Sequence, residues 1–168
     1  FGSAALDAVA PATPTPAPEE LGSEVGGERI VNLSLNEGPF GPFPAALEAI
    51  ARVTPDLNRY PSRGSHALTH ALAERLGVPV AEVVVAAGAD AVIGYVTQAG
   101  LVPGDEAVVP WPSFPSFVRD TQKRGATPVT VALRDGRVDL DRVLAAVRPS
   151  TRLAFVATPN NPTGTAVE

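Results

Sequence analysis

Four stretches carry side chains that can do chemistry, and three of them follow a run of apolar residues. Pro159-Asn160-Asn161-Pro162-Thr163-Gly164 comes directly after the apolar run Leu153 to Ala157. Proline cannot donate to a ladder, so a strand must stop there, and Asn-Pro and Thr-Gly favour a tight turn. Asn161 would then project from a stiff loop at the carboxyl end of a buried strand, the edge where open α/β sheets take ligands. A plain turn satisfies the same four residues. Gly88-Ala89-Asp90 lies between the apolar run Val83 to Ala87 and a helical pattern. Small residues with free N–H groups at a helix start suit a phosphate, and Asp90 is equally read as an ordinary helix cap. The segment lacks the Gly-Lys-Ser/Thr of a Walker loop and the Gly-x-Gly-x-x-Gly of a dinucleotide fold. Phe114, after Pro110-Trp111-Pro112-Ser113, is either a core aromatic or a ring for stacking on a flat cofactor. Tyr60, in the polar loop Asp56 to Gly64, is either a half-buried tyrosine or a hydroxyl donor to a phosphate.

The elements that would position these residues alternate. Pro44 opens a helix with Leu47, Ile50 and Val53 on one face. Ser65 caps a helix Ala67 to Leu76 that ends at Gly77. The spacing then predicts strands at Val83 to Ala87, Glu106 to Pro110, Pro128 to Leu133 and Leu153 to Ala157. Helices are predicted over Ala91 to Gly100, from Ser113 toward Arg124, and over Leu140 to Val147 behind an Asp139 cap. Arg134 to Arg137 reads as a turn. Strands alternating with helices predict an α/β fold, a mainly parallel sheet with flanking helices. Ahead of it, residues 1–28 are Ala/Pro-rich and predict a disordered tail, and Ile30 to Leu35 reads as an extended arm. The expected division is 1–28 tail, 29–60 arm and first helix, and 61–168 the α/β portion.

Composition narrows the function classes. The chain has 168 residues, 45% of them hydrophobic, with mean hydropathy +0.12, which fits a water-soluble globular protein. The net charge of −5, with no basic cluster, argues against a nucleic-acid partner. No run reaches the ~18 apolar residues of a membrane span. Without cysteine there is neither a disulfide framework nor a thiolate metal site, and His66 and His70, four apart, read as a solvated pair. The first residues lack the pattern of a signal peptide and are read as lying inside a longer reading frame. Lys123 is the single lysine among 13 basic residues and reads as a solvated side chain on a charged helix.

Taken in order, Asn36-Glu37-Gly38-Pro39-Phe40-Gly41, Arg59-Tyr60-Pro61, Gly88-Ala89-Asp90, Pro112-Ser113-Phe114 and Pro159 to Gly164 resemble the fold-type I aminotransferases, the histidinol-phosphate aminotransferase branch most of all. The resemblance covers Ile30 to Glu168. It implies part of a large domain binding pyridoxal 5'-phosphate (PLP), preceded by an N-terminal arm. It also implies a cytoplasmic homodimer that moves an amino group between histidinol phosphate or a similar amino acid and 2-oxoglutarate. Gly88, Ala89 and Asp90 would hold the cofactor phosphate, Phe114 would stack on the ring, and Asn161 would bond its phenolic oxygen. Tyr60 would reach the phosphate in the neighbouring subunit, and Asn36 and Glu37 would close over the substrate. Gly38 and Ala91 depart from the family's usual Asn and acidic residue, so the resemblance does not single out the amino donor. The family's Schiff-base lysine stands beyond the Asn-Pro-Thr-Gly loop, and no lysine follows Lys123, so no catalytic residue is assigned and a longer parent enzyme is expected. The rival readings are a PLP-dependent decarboxylase of a phosphorylated amino acid and a non-catalytic binding or dimerisation module.

Overall fold

The computed structural model describes residues 35–167. They fall into two units, 35–65 and 66–167. The readings for the tail, and for the arm up to residue 34, lie outside the described residues.

In the first unit, helix α1 (Pro44–Val53) starts where the sequence places it. Pro44 needs no hydrogen-bond partner for its nitrogen, and the Phe43 carbonyl accepts the Ala46 and Leu47 N–H groups at 2.9 and 3.2 Å. The face carrying Leu47, Ile50 and Val53 is more than half exposed, and no residue of the helix is buried.

The second unit begins with helix α2 (His66–Leu76). Gly77 closes it in the left-handed region at φ 68°; its N–H bonds the Glu74 carbonyl and the Val78 N–H bonds that of Ala73, the paired pattern of a Schellman end. Helix α3 (Gly88–Gly100), strand β1 (Glu106–Trp111), helix α4 (Ser116–Lys123), strand β2 (Thr127–Ala132), helix α5 (Leu140–Ala145) and strand β3 (Thr151–Ala154) follow. The sheet order is β2-β1-β3, and both pairings are parallel. β1 matches β2 from Glu106↔Thr127 to Trp111↔Ala132, and meets β3 at Ala107↔Leu153 and Val108↔Ala154.

A central strand in a parallel sheet is buried on both faces and reads as a continuous apolar run. Ala107, Val108 and Val109 accordingly have 0% exposure. Ala107 forms a buried cluster with Leu101 and Ala126, with Leu153 and Phe155 packed against it. Pro110 is tolerated in this central strand because of its parity. Even-numbered residues of β1 face β3, as the Glu106 N–H to Ser150 carbonyl bond shows, and β3 ends at Ala154, opposite Val108. The nitrogen of Pro110 therefore faces a position past the last β3 pair, where no ladder donor is needed.

Several boundaries differ from the sequence reading. Val83 to Ala87 is not a strand: Val83 is extended, at φ −111° and ψ 123°, but the segment has no ladder partner among the described residues. An apolar run can extend, but a strand also needs an edge to pair with. Helix α3 starts at Gly88 rather than Ala91, so Gly88-Ala89-Asp90 is its first turn rather than the loop before it, and Asp90 is not the cap. β3 is Thr151–Ala154 rather than Leu153 to Ala157, although the Phe155 N–H still bonds the Val108 carbonyl at 2.9 Å. Asp139 does cap α5, accepting the Arg142 N–H at 3.2 Å, but the helix ends at Ala145, not Val147.

Candidate functional site

Three turns meet at the carboxyl edge of the sheet. The first is the start of α3. The chain leaves the Val83 to Ala86 segment, and Gly88 turns it at φ +76°, with its N–H bonded to the Ala86 carbonyl at 2.9 Å. A Cβ at Gly88 would meet nothing within 4 Å, so its backbone angle, not crowding, requires glycine. Ala89 and Asp90 follow, exposed, in the turn whose N–H groups have no intrahelical acceptor. Among the described residues neither N–H donates to a backbone acceptor outside the helix. The Asp90 carboxylate bridges to the next helix instead of capping its own. Its Oδ1 accepts the Ser116 hydroxyl and lies 3.5 Å from Arg119 Nη2, which also donates to Ser116 Oγ at 2.8 Å.

The second turn, Pro112 to Pro115, joins β1 to α4. Ser113 is buried and Phe114 half-buried. The Phe114 ring meets Phe117 edge-on, centroids 5.9 Å apart, and Phe117 in turn stacks on Phe155 at 4.6 Å. Phe114 is thus the end ring of a row of three, braced from one side.

The third turn follows β3. Asn161 is half-buried, whereas Asn160 beside it has 2% exposure. Asn160 Oδ1 accepts from Ser113 Oγ at 2.8 Å, and its Nδ2 donates to the Pro112 carbonyl at 3.2 Å and to Thr163 Oγ1 at 2.9 Å. Its backbone closes the loop, the N–H reaching the Thr165 carbonyl at 2.8 Å and its carbonyl accepting the Gly164 N–H at 2.6 Å. Thr165 Oγ1 reaches back to the Gly136 carbonyl at 2.9 Å, tying the loop to the turn after β2.

Of the residues singled out in the sequence, Gly88, Ala89, Asp90, Phe114 and Asn161 therefore lie on three turns that polar bonds between their neighbours tie together. Asn36 (φ 55°), Glu37 and Tyr60 belong to the 35–65 unit, all exposed, Tyr60 completely. Lys123 sits at the far end of α4 from Ser116, about 10 Å along the axis at helical rise. Its Nζ pairs with Asp120 at 2.7 Å, beside an open groove of about 370 Å³ that Tyr95, Gln98 and Arg124 also line. His66 and His70 face each other at 4.1 Å, and no cluster of three metal-ligating side chains occurs among the described residues. No described helix is long and apolar enough to cross a membrane. Sequence reasoning missed Asn160 and Ser116. The doubled asparagine was the available signal, since one loop seldom needs two amides of identical role.

Comparison with known proteins supplies the context. Residues 28–168 match the family model described as aminotransferase class I and II. The aromatic amino acid aminotransferase of Thermobifida fusca is 44% identical over 97% of this chain and 44% of its own length. The histidinol-phosphate aminotransferase of Paramagnetospirillum magneticum is 40% identical over 90% of this chain and 44% of its own length. Among solved structures, the histidinol-phosphate aminotransferase of Sinorhizobium meliloti in complex with pyridoxal-5'-phosphate superposes with a TM-score of 0.84 at 30% identity, covering 98% of this chain and 44% of that one. The chain thus spans less than half the length of these relatives.

Proposed function

The chain belongs to the class I and II aminotransferases, and from that membership we propose that it builds the phosphate and ring side of a PLP site in an amino-group-transferring enzyme. The observation that carries this reading is the clasp of three turns at one sheet edge, with open helix N–H groups on one, an aromatic on the second and an amide on the third. These residues fit the cofactor. The first turn of α3 offers the Ala89 and Asp90 N–H groups and the positive end of the helix dipole to a phosphate. The Asp90 carboxylate is turned to Ser116 and Arg119, which leaves that backbone to an anion. Phe114 supplies a flat apolar surface and Asn161 an amide for the ring oxygen. When bound, PLP supplies the electron sink at the substrate's α-carbon. The protein's part, on this chain, is to orient the ring and neutralise its phosphate. Tyr60 would add its hydroxyl to the phosphate of a neighbouring subunit in a homodimer, and Asn36 and Glu37 would close over the substrate. Residues 61–168 would then be part of the large cofactor domain of a cytoplasmic enzyme.

For the amino donor we propose histidinol phosphate or a similar amino acid, with 2-oxoglutarate as acceptor. The support is the motif order together with relatives of 40–44% identity that bear either the histidinol-phosphate or the aromatic name.

Transamination by the 168-residue chain is compared with that of the protein extended to the length of its relatives, using L-histidinol phosphate and L-phenylalanine as donors. The expected result is no turnover by the short chain. The long one turns over, with kcat/KM higher for the phosphorylated donor. Borohydride reduction with PLP and peptide mapping should label a lysine other than Lys123. Turnover by the short chain, or label on Lys123, would overturn the reading, and preference for phenylalanine would reassign the donor.

A further inference from the structure

Asn160 is the most completely bonded side chain at this edge, and the functional reading gives it no part. Its amide uses one acceptor and both donor hydrogens: Ser113 Oγ donates to Oδ1, and Nδ2 serves the Pro112 carbonyl and Thr163 Oγ1. The bond to Ser113 is buried, so water cannot replace it. A carboxamide is the side chain group that accepts and donates twice in one plane. A carboxylate would set an acceptor against the Pro112 carbonyl, and an alanine would leave Ser113 and Pro112 without partners.

The bonds cross between two loops. Ser113 and Pro112 belong to the loop after β1, whereas Asn160 and Thr163 belong to the loop after β3. Phe114 is one residue beyond Ser113, and Asn161 one beyond Asn160, so each lies a single ~3.8 Å Cα step from the cross-link. The Phe114 segment is held from its other end as well, where Ser116 bonds Asp90 on the first turn of α3. Resting on the PLP reading above, we infer that Asn160, acting through Ser113, is a positioning residue. It fixes the separation of Phe114 and Asn161 and so sets the width of the slot that receives the planar ring. The phosphate seat on α3 is a separate turn, so loosening Asn160 weakens the grip on the ring and leaves the grip on phosphate.

That asymmetry separates positioning from mere support of the fold. In the natural full-length protein, PLP affinity and the induced circular dichroism of bound PLP are measured for Ser113→Ala, Asn160→Asp and the unsubstituted protein, alongside the affinity for inorganic phosphate. Ser113→Ala deletes one bond and should lower PLP affinity about tenfold, the scale of one buried hydrogen bond. It should also reduce the induced dichroism and leave phosphate affinity within about twofold, because the α3 turn is untouched. Asn160→Asp should act in the same direction and more strongly. Should the aspartate variant fail to fold, Ser113→Ala carries the test alone. Equal losses for PLP and phosphate would make Asn160 a structural residue only and overturn the inference, as would a folded Ser113→Ala with unchanged PLP affinity and dichroism. An unsubstituted protein that binds phosphate but no PLP would overturn the functional reading itself, and this inference with it.

Discussion

Val83-Val84-Val85-Ala86 and Ala107-Val108-Val109 are nearly the same word in the sequence, and they meet opposite fates. The second is the middle of β1, paired on both edges at Ala107 and Val108 and wholly shielded. The first has no ladder partner among the described residues, and Val84 is 67% exposed. Val84 also lines an open apolar groove of about 460 Å³ with Val92, Tyr95, Val96 and Ala99, so the face of α3 on that side is uncovered too. Both runs have the β-branched residues that favour extended backbone. They differ in their neighbours. β2 and β3 are supplied within fifty residues of β1, whereas no described strand pairs with Val83 to Ala86. The contrast runs along α3 itself. Its carboxyl end is anchored by Thr97 and Leu101, both 1% exposed, and its amino end is open. The open end is the one with the proposed phosphate seat.

The largest effect should come from one charge placed in each run. Val108→Asp would bury a carboxylate with no partner and should cost more than about 4 kcal/mol, enough to unfold the chain. Val84→Asp should change stability by no more than about 0.5 kcal/mol, as exposed substitutions do. Urea unfolding of the 168-residue chain measures both. Similar losses would mean that the Val83 to Ala86 run is paired in solution, and the comparison would break.

The halves of this contrast were unequally legible in the sequence. The Pro44 start of α1, the Gly77 end of α2 and the Asp139 cap follow from local rules, because the chemistry that makes each of them lies within a few residues. The state of Val83 to Ala86 does not, since pairing is non-local and an apolar run does not name its partner. Gly88 suggests a break, and a helix start at Ala91, when read alone; in the fold its positive φ makes the corner and α3 begins at once. Asn160 and Asn161 are identical letters. The motif draws attention to Asn161, and only the approach of the β1 loop shows that Asn160 turns inward. Phe114 and Gly88-Ala89-Asp90 were legible as candidates because turns after apolar runs fall at a sheet's carboxyl edge. The clasp that joins them, through Ser113 and Ser116, spans 47 residues in one direction and 26 in the other, and no local pattern encodes it.

A middle-sized effect tests whether β1 owes its burial to the elements that deliver its neighbours. Asp139 caps α5, which leads into β3, and its side chain also lies 2.7 Å from Arg134 Nη2. Asp139→Ala should cost about 1 kcal/mol through the lost cap. Arg134→Ala should cost less than about 0.5 kcal/mol, because the pair's arginine is 62% exposed and water screens it. Thermal unfolding of both variants reads the difference. Equal losses would assign Asp139's contribution to the ion pair and not to the helix it starts.

The smallest effect compares the middle of α3 with its anchored end. Gly94 lies in the helix interior, and an added Cβ there would meet nothing within 4 Å. Replacing it with alanine removes the glycine's excess freedom in the unfolded chain and exposes no new strain, so Gly94→Ala should stabilise by about 0.5–1 kcal/mol. Gly100 is the last residue of the helix, where alanine gains less than in the interior, and its Cβ would stand 3.2 Å from Leu153 Cδ2. Leu153 packs against the buried cluster, so its methyl groups must give way within a filled core. That repacking offsets the gain, and Gly100→Ala should be neutral or destabilising by up to about 1 kcal/mol. Urea midpoints of the two single variants decide the matter. If Gly94→Ala stabilises and Gly100→Ala does not, the carboxyl end of α3 is packed more closely than its middle, as the fold describes. If both stabilise alike, Leu153 has room to move, and the packing of α3 on β3 is looser than its short contact implies.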